Sequence, residues 1–109
     1  MATKANLTID QGATFNTVIT LTDNDGNPIN LTGYSGASQM RKHYTSSTAY
    51  SFNVSLGGEL GTITLSMSAN TTANIASGRY LYDVELTDTS SLVSRVFEGI
   101  VTVNPNITR

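Results

Sequence analysis

Residues 78–103, GRYLYDVELTDTSSLVSRVFEGIVTV, decide the fold. In the first half Tyr80, Tyr82, Val84 and Leu86 fall on one face and Arg79, Asp83, Glu85 and Thr87 on the other, with Leu81 the only apolar exception. A period of two is the mark of a strand with one buried face. The second half carries Val93, Phe97, Val101 and Val103 in one phase and Leu92, Val96 and Ile100 in the other. Two apolar phases predict a strand covered on both sides or shifted by a bulge, and Gly99 after Glu98 is the natural place for one. The two runs form a long hairpin at the centre of a small sheet, without an evident catalytic group.

Outward from this hairpin, the 109 residues are enough for one domain, spanning 1–109, and one core. Only 13% of residues are charged, so Thr, Ser and Asn carry the polar surface, a composition that favours strands and turns and points to an all-β class. With 6 Lys and Arg against 8 Asp and Glu the net charge is -2, which argues against nucleic acid, whose phosphates are held by clustered basic side chains. There is no cysteine, which removes disulfides, thiolate zinc sites and cysteine nucleophiles. No apolar run approaches the roughly 20 residues of a membrane-spanning helix, and the first residues lack a signal-peptide core, so the chain reads as soluble and unprocessed, with no membrane partner. Sequons at Asn6, Asn30, Asn53, Asn70 and Asn106 are what an Asn- and Thr-rich composition yields by chance.

In chain order, residues 5–10 predict a short strand and residues 13–22, with Phe15, Ile19 and Leu21 on one face, a long central one. Asp23 to Pro28 is a turn, since Asp and Asn bond their own backbone and Pro ends a ladder. Residues 36–44 predict a strand with a thin apolar side, Ala37 and Met40, and an exposed face. Tyr50, Phe52, Val54 and Leu56, then Ile63, Leu65 and Met67, predict a hairpin over 49–67. Ser68 reads as the N-cap of one or two helical turns through Ile75, closed by Gly78. The last four residues form a tail. Such a run of about seven strands with one short helix packs most simply as two antiparallel sheets face to face, a closed barrel being the alternative. Ile75, Gly78 and Tyr80 have the spacing of a corner where the chain crosses between sheets and a Tyr hydroxyl bonds back to the crossing backbone.

Four segments occur together: residues 9–15, IDQGATF; 25–34, DGNPINLTGY; 39–42, QMRK; and 78–86, GRYLYDVEL, with 95–103, RVFEGIVTV. As a set they resemble a family of small virion structural proteins of tailed bacteriophages, including those of cyanophages. They are also similar to the N-terminal immunoglobulin-like domain of phage baseplate upper proteins. The resemblance implies an Ig-like antiparallel β-sandwich acting in the virion as a non-catalytic assembly module of tail, baseplate or neck. Its partners would be other phage structural proteins, in multiple copies and a symmetric assembly. Capsid decoration on the head exterior is the alternative.

The resemblance supplies no binding residues, so candidates come from the side chains. Arg79, Asp83, Glu85, Arg95 and Glu98 share the hairpin, where cross-strand charge pairs are expected; solvated they contribute little, and buried at a subunit contact they fix register. Arg41 belongs to a basic run with Lys42 and His43, although in a strand Lys42 points away from its two neighbours. Tyr34, Tyr44 and Tyr50 sit near loop ends, as interface anchors or as sandwich rim. The hairpin's long strands offer an edge for strand addition. The Asp23 to Asn27 loop spaces oxygen atoms as a calcium loop does but lacks the bidentate Glu, and a solvated turn explains it. One histidine, His43, assembles neither a metal site nor a triad, and no cofactor is implied. A carbohydrate-binding or adhesin role lacks an aromatic platform, with no Trp and 7% aromatics, and no nucleophile–base set suggests an enzyme.

Overall fold

The computed structural model describes residues 3–43 and 48–105. Its strands are β1 (Thr3–Lys4), β2 (Leu7–Asp10), β3 (Phe15–Thr20), β4 (Ser35–Arg41), β5 (Tyr50–Leu56), β6 (Thr62–Met67), β7 (Gly78–Thr87) and β8 (Val93–Asn104), with a short helix α1 (Ala69–Ala73). One layer runs β4, β7, β8, with β1 and then β2 end to end along the far edge of β8; the other holds β3 and β6. Strand β5 belongs to both layers. Its first residues pair with β4 (Ser38 with Phe52, Met40 with Tyr50) and its last with β6 (Asn53 with Ser66, Leu56 with Ile63). The result is an all-β, Ig-like sandwich rolled nearly into a barrel, whose remaining seam lies between β2 and β3, where a polar cleft opens.

The core follows from alternation. Tyr80, Tyr82, Val84 and Leu86 of β7 and Phe97, Val101 and Val103 of β8 meet Phe15, Ile63, Leu65 and Met67 from the other layer, with Met40 and Phe52 between them. Each fully buried side chain of this kind contributes about 1.5–3 kcal/mol before entropy is counted. Rings of Phe15 and Phe52 (5.7 Å between centroids), and of Phe52 and Tyr82 (6.2 Å), tie the layers together in tilted and edge-on contacts. At the crossing from β6 to β7, Ile75 is buried and the Tyr80 hydroxyl donates to the Ala76 carbonyl at 2.7 Å, the corner expected from the spacing. Thr72 of α1, also fully buried, donates to the Ala13 carbonyl and accepts from the Gly12 N–H, which staples the helix to the turn before β3.

Several sequence expectations are corrected. Strand β3 is an edge, pairing among the described residues only with β6, because alternation records a buried face but not a neighbour on each side. Conversely, the long strands offer little such edge: β7 is interior, and β8 is flanked by β1 and β2 from Phe97 onward, leaving only residues 93–96 open on that side among the described residues. The first strand is two pieces broken at Ala5 and Asn6. Ala37 faces outward and Ser38 inward, its hydroxyl satisfied by the Asp83 carbonyl at 2.6 Å. The helix stops at Ala73, with Asn74 as its C-cap and Gly78 already in β7, while Ser68 caps its start as expected. The bulge is not at Glu98 and Gly99. Val84 pairs with Phe97 but Glu85 with Arg95, so Val96 is the extra residue, and the shift turns Val93 outward, away from the phase of Phe97. Tyr44, most of the loop that follows it and the four-residue tail lie outside the described residues.

Candidate functional surface

The outward face of β4, β7, β8 and β1 is built in rows set by the ladder register. Glu85 stands between Ala37 and Arg95; Asp83 between Gln39 and Glu98, with Lys4 beyond; Leu81 between Arg41 and Ile100; and Thr102 between Arg79 and Thr8. A groove of about 700 Å³ opens over the middle rows. Leu81, Gly99 and Ile100 form its apolar floor, and Lys4, Arg41, Arg95, Asp83, Glu85 and Glu98 its charged walls. Leu81, the one apolar residue out of phase in β7, is thus explained: with Ile100 it lines the groove.

Arg95 is the electrostatic hub. Its Nε lies 3.3 Å from Asp83 Oδ2 and its guanidinium 3.6 Å from Glu98 Oε1, with the Arg95 side chain 53% exposed. Half-exposed pairs contribute ~0–1 kcal/mol to folding, so they do not hold the sandwich together. Arg41 donates to the Gln39 side chain at 3.2 Å. Neither Glu85 nor Arg79 has an ion-pair partner among the described residues.

Gly99 positions the wall that β1 provides. The chain crosses it so closely that a Cβ there would lie 2.2 Å from the Ala5 carbonyl oxygen and 3.1 Å from Asn6 Oδ1. Ala5 N–H donates to the Glu98 carbonyl at 2.9 Å, the Ile100 N–H to Asn6 Oδ1 at 3.1 Å, and the Tyr82 hydroxyl reaches the Ala5 carbonyl from below. Burial pushes the Tyr82 phenol up to about 12. Burial, and then the neighbouring Tyr50, also raises Tyr80.

Of the residues singled out in the sequence, Arg41, Asp83, Glu85, Arg95 and Glu98 come together around the groove. Arg79 lies on the same face one row further on. Tyr34 stands apart, half-buried against the core before β4, its N–H donating to the Leu31 carbonyl. Tyr50 packs its ring edge-on to Tyr80. Strand β4 ends at Arg41, short of the expected 36–44, and Lys42 just beyond it sets its ammonium 4.8 Å from the centre of the Tyr80 ring. Lys4, Asn6 and Gln39 were missed. Lys4 and Asn6 carry no local signal, because only the long-range pairing of β1 and β2 with β8 brings them to the groove.

The Asp23 carboxylate is spent on its own turn, accepting from the Asp25 and Asn27 N–H groups at 2.9 and 3.0 Å. Asp88 repeats this pattern, accepting from Ser90 and Leu92 at 2.8 and 2.9 Å. Among the described residues no group of three or more His, Cys, Asp or Glu side chains is placed to hold a metal ion.

No family model and no curated protein matches the sequence. Among solved structures, an internalin-like protein of Listeria monocytogenes is similar over 94% of this chain, with a TM-score of 0.51 and 16% identity. The chain spans only 28% of that protein, and likeness at this identity shows a shared all-β sandwich fold alone.

Proposed function

We propose that this chain is a non-catalytic virion structural protein of a tailed bacteriophage, an assembly module that works through protein–protein contact on the groove-bearing face. The observation that carries the reading is the groove itself. Two of the four segments behind the resemblance, 39–42 and 78–86 with 95–103, fall on or at the end of the adjacent strands that build it. Mixed charges around an apolar floor, contributing little to folding, suit register-setting contacts with a partner, where the cost of desolvating each charge is offset only in the correctly paired register and like charges reject wrong partners. In the virion the neighbours are other structural proteins in several copies.

The test is a charge reversal, Arg95→Glu with Glu98→Arg, in the phage that encodes the chain. Unchanged folding by circular dichroism with loss of the protein from purified particles is expected. Normal incorporation would remove this surface from the reading, and absence of the wild-type chain from purified particles would remove the virion role.

A further inference from the structure

We propose that the seam between β2 and β3 receives one extended, uncharged segment of a partner protein, which enters as a strand and closes the barrel. The seam borders the groove only at Asn6, and the inference stands whether or not the groove-bearing face is a contact surface.

The direction of the main-chain groups on β3 is fixed by its ladder. The Leu21 N–H donates to the Gly61 carbonyl and the Gly57 N–H to the Thr62 carbonyl, so odd-numbered residues of β6 bond to β3 and even-numbered ones to β5. Bonded pairs alternate in an antiparallel ladder. Phe15, Thr17 and Ile19 therefore bond to β6, while Asn16, Val18 and Thr20 turn their N–H and C=O groups to the seam, without a partner among the described residues. The opposite wall repeats the pattern. Ala5 and Gln11 donate to the carbonyls of Glu98 and Asn104, which places Leu7 and Ile9 on the β8 ladder and points the Thr8 N–H and C=O and the Asp10 N–H into the seam.

Folded proteins usually protect an open edge with charge, Pro or a bulge. From Gln11 to Thr22 there is no charged residue and no Pro, β3 pairs with β6 without a register shift, and Val18 is 58% exposed. Donors and acceptors alternating on both walls fit one chemistry, an extended peptide backbone that bonds to each side by turns. The cleft between the walls, about 370 Å³, is closed at one end by the turn in which the Ala13 N–H donates to the Asp10 carbonyl. Every described strand of this chain is already held in a sheet, so a second copy could bring one only with its neighbours attached, and the occupant is instead a free segment of another protein. Its side chains follow from the walls. Leu7 and Ile19 point to the core yet stay half-buried, so the inward positions of the segment are apolar, and the outward ones, beside exposed Thr8 and Asn16, are polar. The only charged side chain lining the cleft, Asp10, accepts from the Asn104 amide at 3.2 Å, which favours an uncharged occupant.

NMR of the full chain tests this, with a capped, uncharged peptide of about six alternating threonine and valine residues as probe, at up to about 2 mM. In the free chain the amides of Asn16, Val18 and Thr20 are expected to exchange fast and those of Thr17 and Ile19 slowly; the peptide shifts and protects the first set. Methylating the peptide nitrogens at alternate residues, in either phase, raises the dissociation constant at least about tenfold, because one phase serves β3 and the other β2. Val18→Pro, which deletes a donor that β6 does not use, does the same, and the methylated peptides keep the test decisive where that variant fails to fold. Asn16, Val18 and Thr20 amides as protected as their neighbours in the free chain, no shift at about 2 mM peptide, or undiminished binding of both methylated peptides overturns the inference. So does a dimer of the chain alone that Val18→Pro abolishes, which would give the edge to a second copy.

Discussion

Replacing Gly99 with alanine places a methyl carbon 2.2 Å from the Ala5 carbonyl oxygen and 2.9 Å from its carbon. Both are backbone atoms, so no rotamer change makes room, and the segment between β1 and β2 must lift from β8. Lifting it breaks the Ala5 N–H bond to Glu98, the Asn6 side-chain bond to the Ile100 N–H and the Tyr82 hydroxyl bond to Ala5. At about 1 kcal/mol net for each hydrogen bond, the loss is roughly 3 kcal/mol, and more if the Tyr82 hydroxyl is left buried without a partner. Urea unfolding measures the total, and amide exchange at Ala5 and Ile100 locates it. Asn6→Ala, which removes one bond of the three, is expected to cost about 1 kcal/mol. A Gly99→Ala midpoint within about 0.5 kcal/mol of wild type, with those amides still protected, would refute the account of Gly99 as the point of close approach.

Three further outcomes follow from the same geometry. Tyr80→Phe keeps the ring and loses the 2.7 Å bond to Ala76, and is expected to lower stability by about 1 kcal/mol in thermal or urea melts. The turns at Asp23 and Asp88 share one hydrogen-bond plan but differ at the left-handed position, Gly26 (φ 84) in one and Ser91 (φ 67) in the other. Nothing lies near a Cβ at Gly26, so Gly26→Ala costs about 1 kcal/mol from backbone conformation alone, whereas Ser91→Gly is neutral to stabilising by up to about 1 kcal/mol. The Tyr82 phenol, raised from 10.0 to about 12 by burial, binds its proton more tightly folded than unfolded. Its contribution is fully present below pH 10 and is lost as pH rises toward about 12, so alkaline unfolding monitored by tyrosinate absorbance should be shallower in Tyr82→Phe.

Much of this was legible locally. The alternation of Tyr80, Tyr82, Val84 and Leu86 against Arg79, Asp83 and Glu85 reflects which side of β7 meets the other layer, and burial follows it residue by residue. The corner at Tyr80 could be read because its donor and acceptor lie four residues apart. What could not be read is non-local. Whether β3 sits at an edge depends on what pairs with its far side, and nothing in its own residues encodes that. The bulge was expected at Gly99 because glycine breaks strand patterns. Gly99 instead pairs regularly with Tyr82, and its missing side chain serves the passage of Ala5. The groove joins both kinds of information. Leu81 and Ile100 were already visible as apolar residues out of phase, whereas Asn6 reaches the Ile100 N–H across 94 residues of chain.

Strands β2 and β8 run side by side in the same direction, from Leu7 beside Val101 to Asp10 beside Asn104. The chain enters this ladder at the start of β2 and leaves it at the end of β8. Tension applied through those two ends therefore drags the strands past one another lengthwise, and their paired positions must yield together instead of peeling apart in turn. The β7 and β8 hairpin, pulled open from its free end, has no such protection. Forced unfolding is set by the height of the barrier to rupture and not by equilibrium stability. A sandwich of modest size is thus clamped in shear along β2 and β8, and extension through those two points meets its paired positions all at once.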